Sequence, residues 1–160
     1  MTDEKRTGSV ARVRQAALDL GLDVDLRLMP DTTRTAPEAA AACGCNVAEI
    51  VKSLVFTGAD SGQPILLLVS GVNRVDETGV AEHIGETLTR ADAKRVREVT
   101  GFAIGGVAPI GQLTQIPVYL DQDLLQFDRV WAAAGAPNTV FSVSPQALKD
   151  AIGAPVIPMS

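Results

Sequence analysis

The chain is poor in the residues that carry most recognisable chemistry. Among 160 residues it has one histidine, two cysteines, one tryptophan and one tyrosine. The cysteines, Cys43 and Cys45, sit one residue apart in C-G-C. A disulfide across that gap would be badly strained, and a zinc site normally wants four N/S ligands. The pair reads as small residues at a helix end. His83, the lone histidine, has no serine or cysteine partner in view, and no G-x-S-x-G elbow is present. Nor is there a G-x-G-x-x-G opening a helix or a G-K-[ST], which sets aside dinucleotide and P-loop fingerprints. The longest apolar run, Ile65 to Val69, is strand-sized and far below the ~18 residues of a membrane span. The first residues, M-T-D-E-K-R-T-G-S, carry no signal-peptide core. Both point to a cytoplasmic protein without a membrane partner. A net charge of −5 argues against indiscriminate nucleic-acid binding.

What is present describes one α/β domain over residues 1–160, with a mixed, partly barrel-like sheet surrounded by helices. Helical spacing runs through S-V-A-R-V-R-Q-A-A-L-D-L and stops at Gly21, and V-D-L-R-L-M-P alternates like a strand. Thr35, Pro37 and Glu38 have the spacing of a capped helix start, and Asn46 can cap a further turn. E-I-V-K-S-L-V-F-T and I-L-L-L-V-S-G read as strands, the second buried on both faces. Asp76 to Gly85 and Arg90 to Val99 read as helices, the latter with Thr89 and Asp92 as a capping box. I-P-V-Y-L-D is a strand; R-V-W-A-A-A-G and N-T-V-F-S-V form a hairpin across G-A-P; Ser144 and Pro145 open a last helix.

Three stretches could carry chemistry. In a strand alternate side chains share a face, so Lys52 points the same way as Leu54 and Phe56. Such a lysine either snorkels to water along apolar surface or meets an anion in a pocket, and periodicity leaves both open. G-F-A-I-G-G-V-A-P-I-G packs glycines and a proline into Gly101 to Gly111. That suits a plain turn, or a rigid loop offering main-chain groups to a small ligand. Arg90, Lys94, Arg95 and Arg97 form a basic cluster, either a solvated helix face or a phosphate contact. Arg74 and Asp76, in S-G-V-N-R-V-D, follow the buried strand as candidate site walls.

Taken in order, I-V-K-S-L-V-F, S-G-V-N-R-V-D, the Gly101 to Gly111 loop, P-V-Y-L-D-Q-D-L-L and A-A-G-A-P-N-T-V-F-S-V-S-P-Q-A-L resemble the landmarks of the YbaK/EbsC-type family. That family includes the prolyl-tRNA synthetase editing domain and its free-standing relatives, and the resemblance runs from Thr35 to Ile152. It implies an aminoacyl-tRNA deacylase acting in trans on tRNA(Pro) mischarged with a small amino acid, without metal or other cofactor. The catalytic set it implies is Lys52 with Gly105, Gly106 and Pro109. The substrate-binding set is Phe56, Arg74, Asp76, Val107, Ala108, Gly135 and Ser144. Ala108 stands where many relatives have serine. Gln112, Leu113 and Thr114 stand where several are basic, so prolyl-tRNA synthetase or an elongation factor could deliver the tRNA. A non-catalytic module binding aminoacyl-tRNA or an aminoacyl-nucleotide, or an esterase on a small non-tRNA substrate, would use the same pocket. The oligomeric state is not legible.

Overall fold

The computed structural model describes residues 3–30, 33 and 35–160. Its elements run α1 (Asp3–Asp19), β1 (Asp25–Leu28), α2 (Ala36–Cys43), β2 (Val51–Gly58), β3 (Pro64–Ser70), α3 (Glu77–Ile84) and β4 (Leu88–Arg90). They continue with α4 (Ala93–Thr100), β5 (Val118–Asp121), β6 (Val130–Ala136), β7 (Thr139–Val143), α5 (Pro145–Ile152) and β8 (Val156–Ile157). Short 3-10 turns occupy Val47–Glu49 and Gln122–Gln126. The domain is α/β, with five helices around two sheets among the described residues. One sheet is mixed, in the order β4-β2-β3-β5-β8; the other is antiparallel, in the order β1-β7-β6. Strands β3, β5 and β8 run parallel, while β2 is antiparallel to both its neighbours.

Local chemistry accounts for most helix boundaries. Thr35, Asp76, Asp92 and Ser144 each lend a side-chain oxygen to the N–H three residues on. Asn46 and Glu49 close a capping box on the turn before β2. The expected helix from Arg90 to Val99 needs correction. Leu88–Arg90 is a strand paired with the end of β2, Asp92 is the cap, and the helix begins at Ala93. Thr89 instead faces Thr57 across the strand pair, its hydroxyl donating to the Thr57 carbonyl at 3.3 Å. Strand β8 has no counterpart in the sequence reading, being two residues long.

Strands β2 and β3 divide the interior in two. Val51, Val55, Leu66 and Leu68 face the antiparallel sheet and α4, packing with Ala132, Phe141, Val143, Val96 and Phe102. Phe56, Ile65, Leu67 and Val69 face the other way, against Val80, Leu88, Ile157 and Met159. This division is the physical content of the strand alternation: β3 is apolar on both faces because both faces are core. Lys52 lies on the Phe56 side of β2.

Candidate functional site

The site arises where the two sheets fail to join. β6 is the edge of the small sheet, and β4 covers only the last part of β2, from Phe56 to Gly58. Ile50 forms one parallel bridge with Trp131; beyond it the edges of β2 and β6 diverge. Even-numbered residues of β2 turn their main-chain groups toward β3, as the Gly58 N–H bond to Gln63 O shows. The main chain of Val51, Ser53 and Val55 therefore points to the open edge, where the Val55 carbonyl accepts from Ala91 N–H. The opening is a cavity of about 500 Å³, within the range of small-ligand sites. Val51, Val55, Val96, Val107, Ala132 and Val140 give it apolar walls. Thr35 and Pro37 of the α2 start, Ile104, Gly105, Lys52 and Arg90 also line it.

Lys52 is half-buried, and its ammonium donates to the Asn73 carbonyl. Its pKa lies below that of a free lysine, first because burial strips water from the charge, then because Arg90 and Arg74 repel it. Asp121 acts in the opposite sense. The Arg90 guanidinium sits over the Phe56 ring, 5.5 Å from its centroid. A chain of net negative charge thus places two cations, Lys52 and Arg90, on the lining of an apolar cavity, with Arg74 near enough to repel Lys52. The cations suit an anionic or oxygen-rich group, and the interior suits a small apolar one.

The opposite wall is the glycine loop. Gly105 has a φ of 91°, a conformation costly for any residue with a Cβ, and presents bare main chain to the cavity. Several bonds hold the loop in place. Arg12, from α1, donates to the carbonyls of Gly101 (3.1 Å) and Gly111 (3.3 Å), so one guanidinium ties both ends. Gly106 N–H donates to Ala103 O at 2.9 Å, and its carbonyl accepts from Gly135 N–H at 3.0 Å. Gln112 donates to the Ala108 carbonyl at 2.9 Å.

Of the residues singled out from the sequence, Lys52, Phe56, Gly105 and Val107 come together on the cavity. The others lie around it. Gly106, Ala108 and Pro109 are buried in the loop's underside. Gly135 is pressed on α1, where an added Cβ would stand 2.8 Å from the Ser9 carbonyl oxygen. Ser144 and Asp76 cap α5 and α3, and Arg74, exposed, acts on Lys52 through its charge. His83 is exposed in the last turn of α3, and both cysteines are free thiols at the end of α2. Burial raises the Cys45 pKa to about 11, with the neighbouring Cys43 and Glu49 adding to the effect. Sequence reading missed Ser53, Ile104, Asn73 and the β6 wall of Trp131, Ala132 and Ala133. Arg90 it found only as one of a basic cluster. No local signal marks these residues, because they meet only when the sheet edges do.

The fold and cavity define a small α/β domain with a largely apolar cavity between two sheet edges and the cations Lys52 and Arg90 on its lining. The chain belongs to the aminoacyl-tRNA editing domain family, whose profile matches residues 30–151. It is 30% identical over 142 residues to the uncharacterised protein YwhH of Bacillus subtilis (strain 168), covering 89% of this chain and 90% of that one. It is 27% identical over 115 residues to EbsC of Enterococcus faecalis (strain ATCC 700802 / V583), named as a candidate Cys-tRNA(Pro)/Cys-tRNA(Cys) deacylase. That match covers 71% of this chain and 70% of EbsC. A crystal structure described as a candidate trans-editing enzyme for prolyl-tRNA synthetase superposes with a TM-score of 0.88 and 45% identity, over 95% of this chain and 96% of the other. Among the described residues no helix is long and apolar enough to cross a membrane.

Proposed function

We propose that the protein is a trans-editing deacylase that hydrolyses the ester of tRNA(Pro) mischarged with a small amino acid. The candidates are alanine, serine, cysteine, threonine and 2-aminobutyrate. The observation that carries this reading is the meeting of Lys52 and the Gly105 main chain on one cavity. The names of the relatives support the tRNA(Pro) assignment.

In this reading the Lys52 ammonium and Arg90 receive the phosphate and ribose of the 3′-terminal adenosine. The aminoacyl group enters the apolar interior between Val107 and β6. Water adds to the ester carbonyl carbon, the carbonyl oxygen takes up negative charge, and the bond to the ribose oxygen breaks. The proton lost by the water ends on that ribose oxygen, and the products are free amino acid and uncharged tRNA. An ester on a ribose is already activated, so positioning and fixed dipoles can supply the acceleration without a nucleophilic side chain. In this reading the main chain at Gly105 faces the developing oxyanion, and the adjacent ribose hydroxyl relays the proton. Pocket discrimination among these side chains is worth only about 1–3 kcal/mol per methylene. Delivery by prolyl-tRNA synthetase or an elongation factor fits a chain of net charge −5.

The test is a panel of misacylated tRNA(Pro) species incubated with purified protein. Multiple-turnover release of at least one small amino acid is expected, and its loss in Lys52→Ala. A protein that deacylates no member of the panel does not have this function.

A further inference from the structure

Asp121, at the end of β5, is fully buried. A carboxylate taken out of water is costly unless its oxygens are occupied, and these are. One oxygen accepts from Ser70 N–H at 3.1 Å and from the Asn73 amide at 2.8 Å; the other accepts from Asp123 N–H at 3.0 Å. The same Asn73 nitrogen donates to Asp123 at 2.8 Å, so it is held between two carboxylates. Asn73 closes the turn after β3 by donating its N–H to Ser70 O at 2.9 Å. The carbonyl of this residue is the one that accepts from Lys52.

The turn is fixed from its far side as well. Gly71 N–H donates to Ile50 O at 2.8 Å, and the Ser70 hydroxyl donates to Ala48 O at 2.7 Å. The approach at Gly71 leaves no room for a side chain, since a Cβ there would lie 2.3 Å from the Val47 carbonyl oxygen. Lysine has a long, freely rotating stem and fixes no direction by itself. Here its ammonium is given one.

We propose that Asp121, acting through Asn73, is a positioning residue that aims the Lys52 ammonium along the cavity. The chain of contacts runs from a buried carboxylate to an amide, to the turn that amide anchors, and to the ammonium. It also balances charge. Arg90 of β4 and Arg74 beside the turn press on Lys52, and Asp121 opposes them, with Asp123 on the other side of the Asn73 amide. That Lys52 serves the substrate rests on the function proposed above; that Asp121 and Asn73 set its position does not.

Two measurements test this. The first is a lysine side-chain NMR titration, which separates Lys52 from Lys5, Lys94 and Lys149 by comparison with Lys52→Gln. Asp121→Asn should move the Lys52 midpoint to lower pH, because burial and two arginines remain while the opposing anion is gone. Asn73→Ala should move it to higher pH, as the released ammonium regains water. Lys94 and Lys149 should not move. The second is deacylation. Asn73→Ala should lower the single-turnover deacylation rate by up to about 100-fold, and in a Lys52→Ala background, read by its residual single-turnover rate, the further loss should vanish. An unmoved Lys52 midpoint in the variants, or an equal loss with and without Lys52, overturns the proposal. If Asp121→Asn does not fold, Asn73→Ala provides both readouts. If the wild-type protein deacylates nothing, the functional reading falls and the Lys52 titration alone decides the positioning.

Discussion

Gly106 is the point at which the glycine loop is keyed into the β6–β7 hairpin, and Gly106→Ala should displace the loop. A Cβ on Gly106 would lie 3.1 Å from Ala136 N and 3.2 Å from both the Cα and the carbonyl carbon of Ala136. Ordinary Cβ contacts begin at 3.4 Å. All three atoms are main chain, at the register shift between Ala133 and Ala136, so no side chain can swing aside. Gly106 does not have a positive φ, and the cost is therefore one of space. The loop must retreat by a few tenths of an ångström, which lengthens the 3.0 Å bond from Gly135 N–H to the Gly106 carbonyl. Overpacking of this kind costs about 1–3 kcal/mol. In a chain of this length each kcal/mol is worth about 2–4 °C in Tm, so the melt should fall by about 2–12 °C. The same shift moves Gly105 and Val107, which line the cavity, and kcat/KM on the preferred misacylated tRNA(Pro) should fall with it. Thermal melts and single-turnover deacylation check this. A variant that melts within about 1 °C of wild type and deacylates at the wild-type rate refutes the keying of the loop.

Two further perturbations follow from side chains outside the proposed chemistry. The Glu86 carboxylate accepts from Ser61 N–H, the Ser61 hydroxyl and Asp60 N–H, clasping the β2–β3 turn. The bonds from Ser61, main chain first and then hydroxyl, hold its pKa below the ordinary glutamate value. A depressed folded pKa means stability present above the unfolded value, about 4.3, and lost as pH falls through the folded one. Glu86→Gln should thus lower Tm at pH 7, with a gap from wild type that closes on acidification; a gap constant down to pH 3 would count against the clasp. The Ser53 Oγ, in turn, is buried without a hydrogen-bond partner. A buried hydroxyl in that state costs about 1–3 kcal/mol, so Ser53→Ala should leave Tm unchanged or raise it by up to about 12 °C. A fall of several degrees would show that the hydroxyl is satisfied.

The sequence disclosed what is decided within a few residues. Thr35, Asp76 and Ser144 cap helices because a short oxygen-bearing side chain reaches an N–H three positions on, and that geometry is local. Alternation likewise put Lys52 on the Phe56 face. The misread start at Arg90 came from the same source. L-T-R carries no strand signal of its own, and becomes a strand only because Phe56–Gly58 lies open beside it. The cavity was hidden for this reason too. It exists because β4 is too short to cover β2 and, among the described residues, β6 pairs with the chain entering β2 at the Ile50–Trp131 bridge alone. Sheet order, the non-local fact that makes an edge, leaves no periodic trace.

The landmark motifs gather around the cavity, and they divide by what each residue touches. They fall into residues that face the cavity and residues that hold those in place. Lys52, Gly105 and Val107 face it. Gly135 lets β6 press on α1 and binds the loop through Gly106, and Asp121 and Asn73 fix the turn that meets Lys52. A lysine stem and a glycine loop are both intrinsically mobile, and an ester carbonyl is attacked well only when the groups around it are already fixed. A site made from such parts needs as many holding residues as facing ones. Substitutions among the holding residues should therefore alter the chemistry through geometry, with the cavity lining left intact.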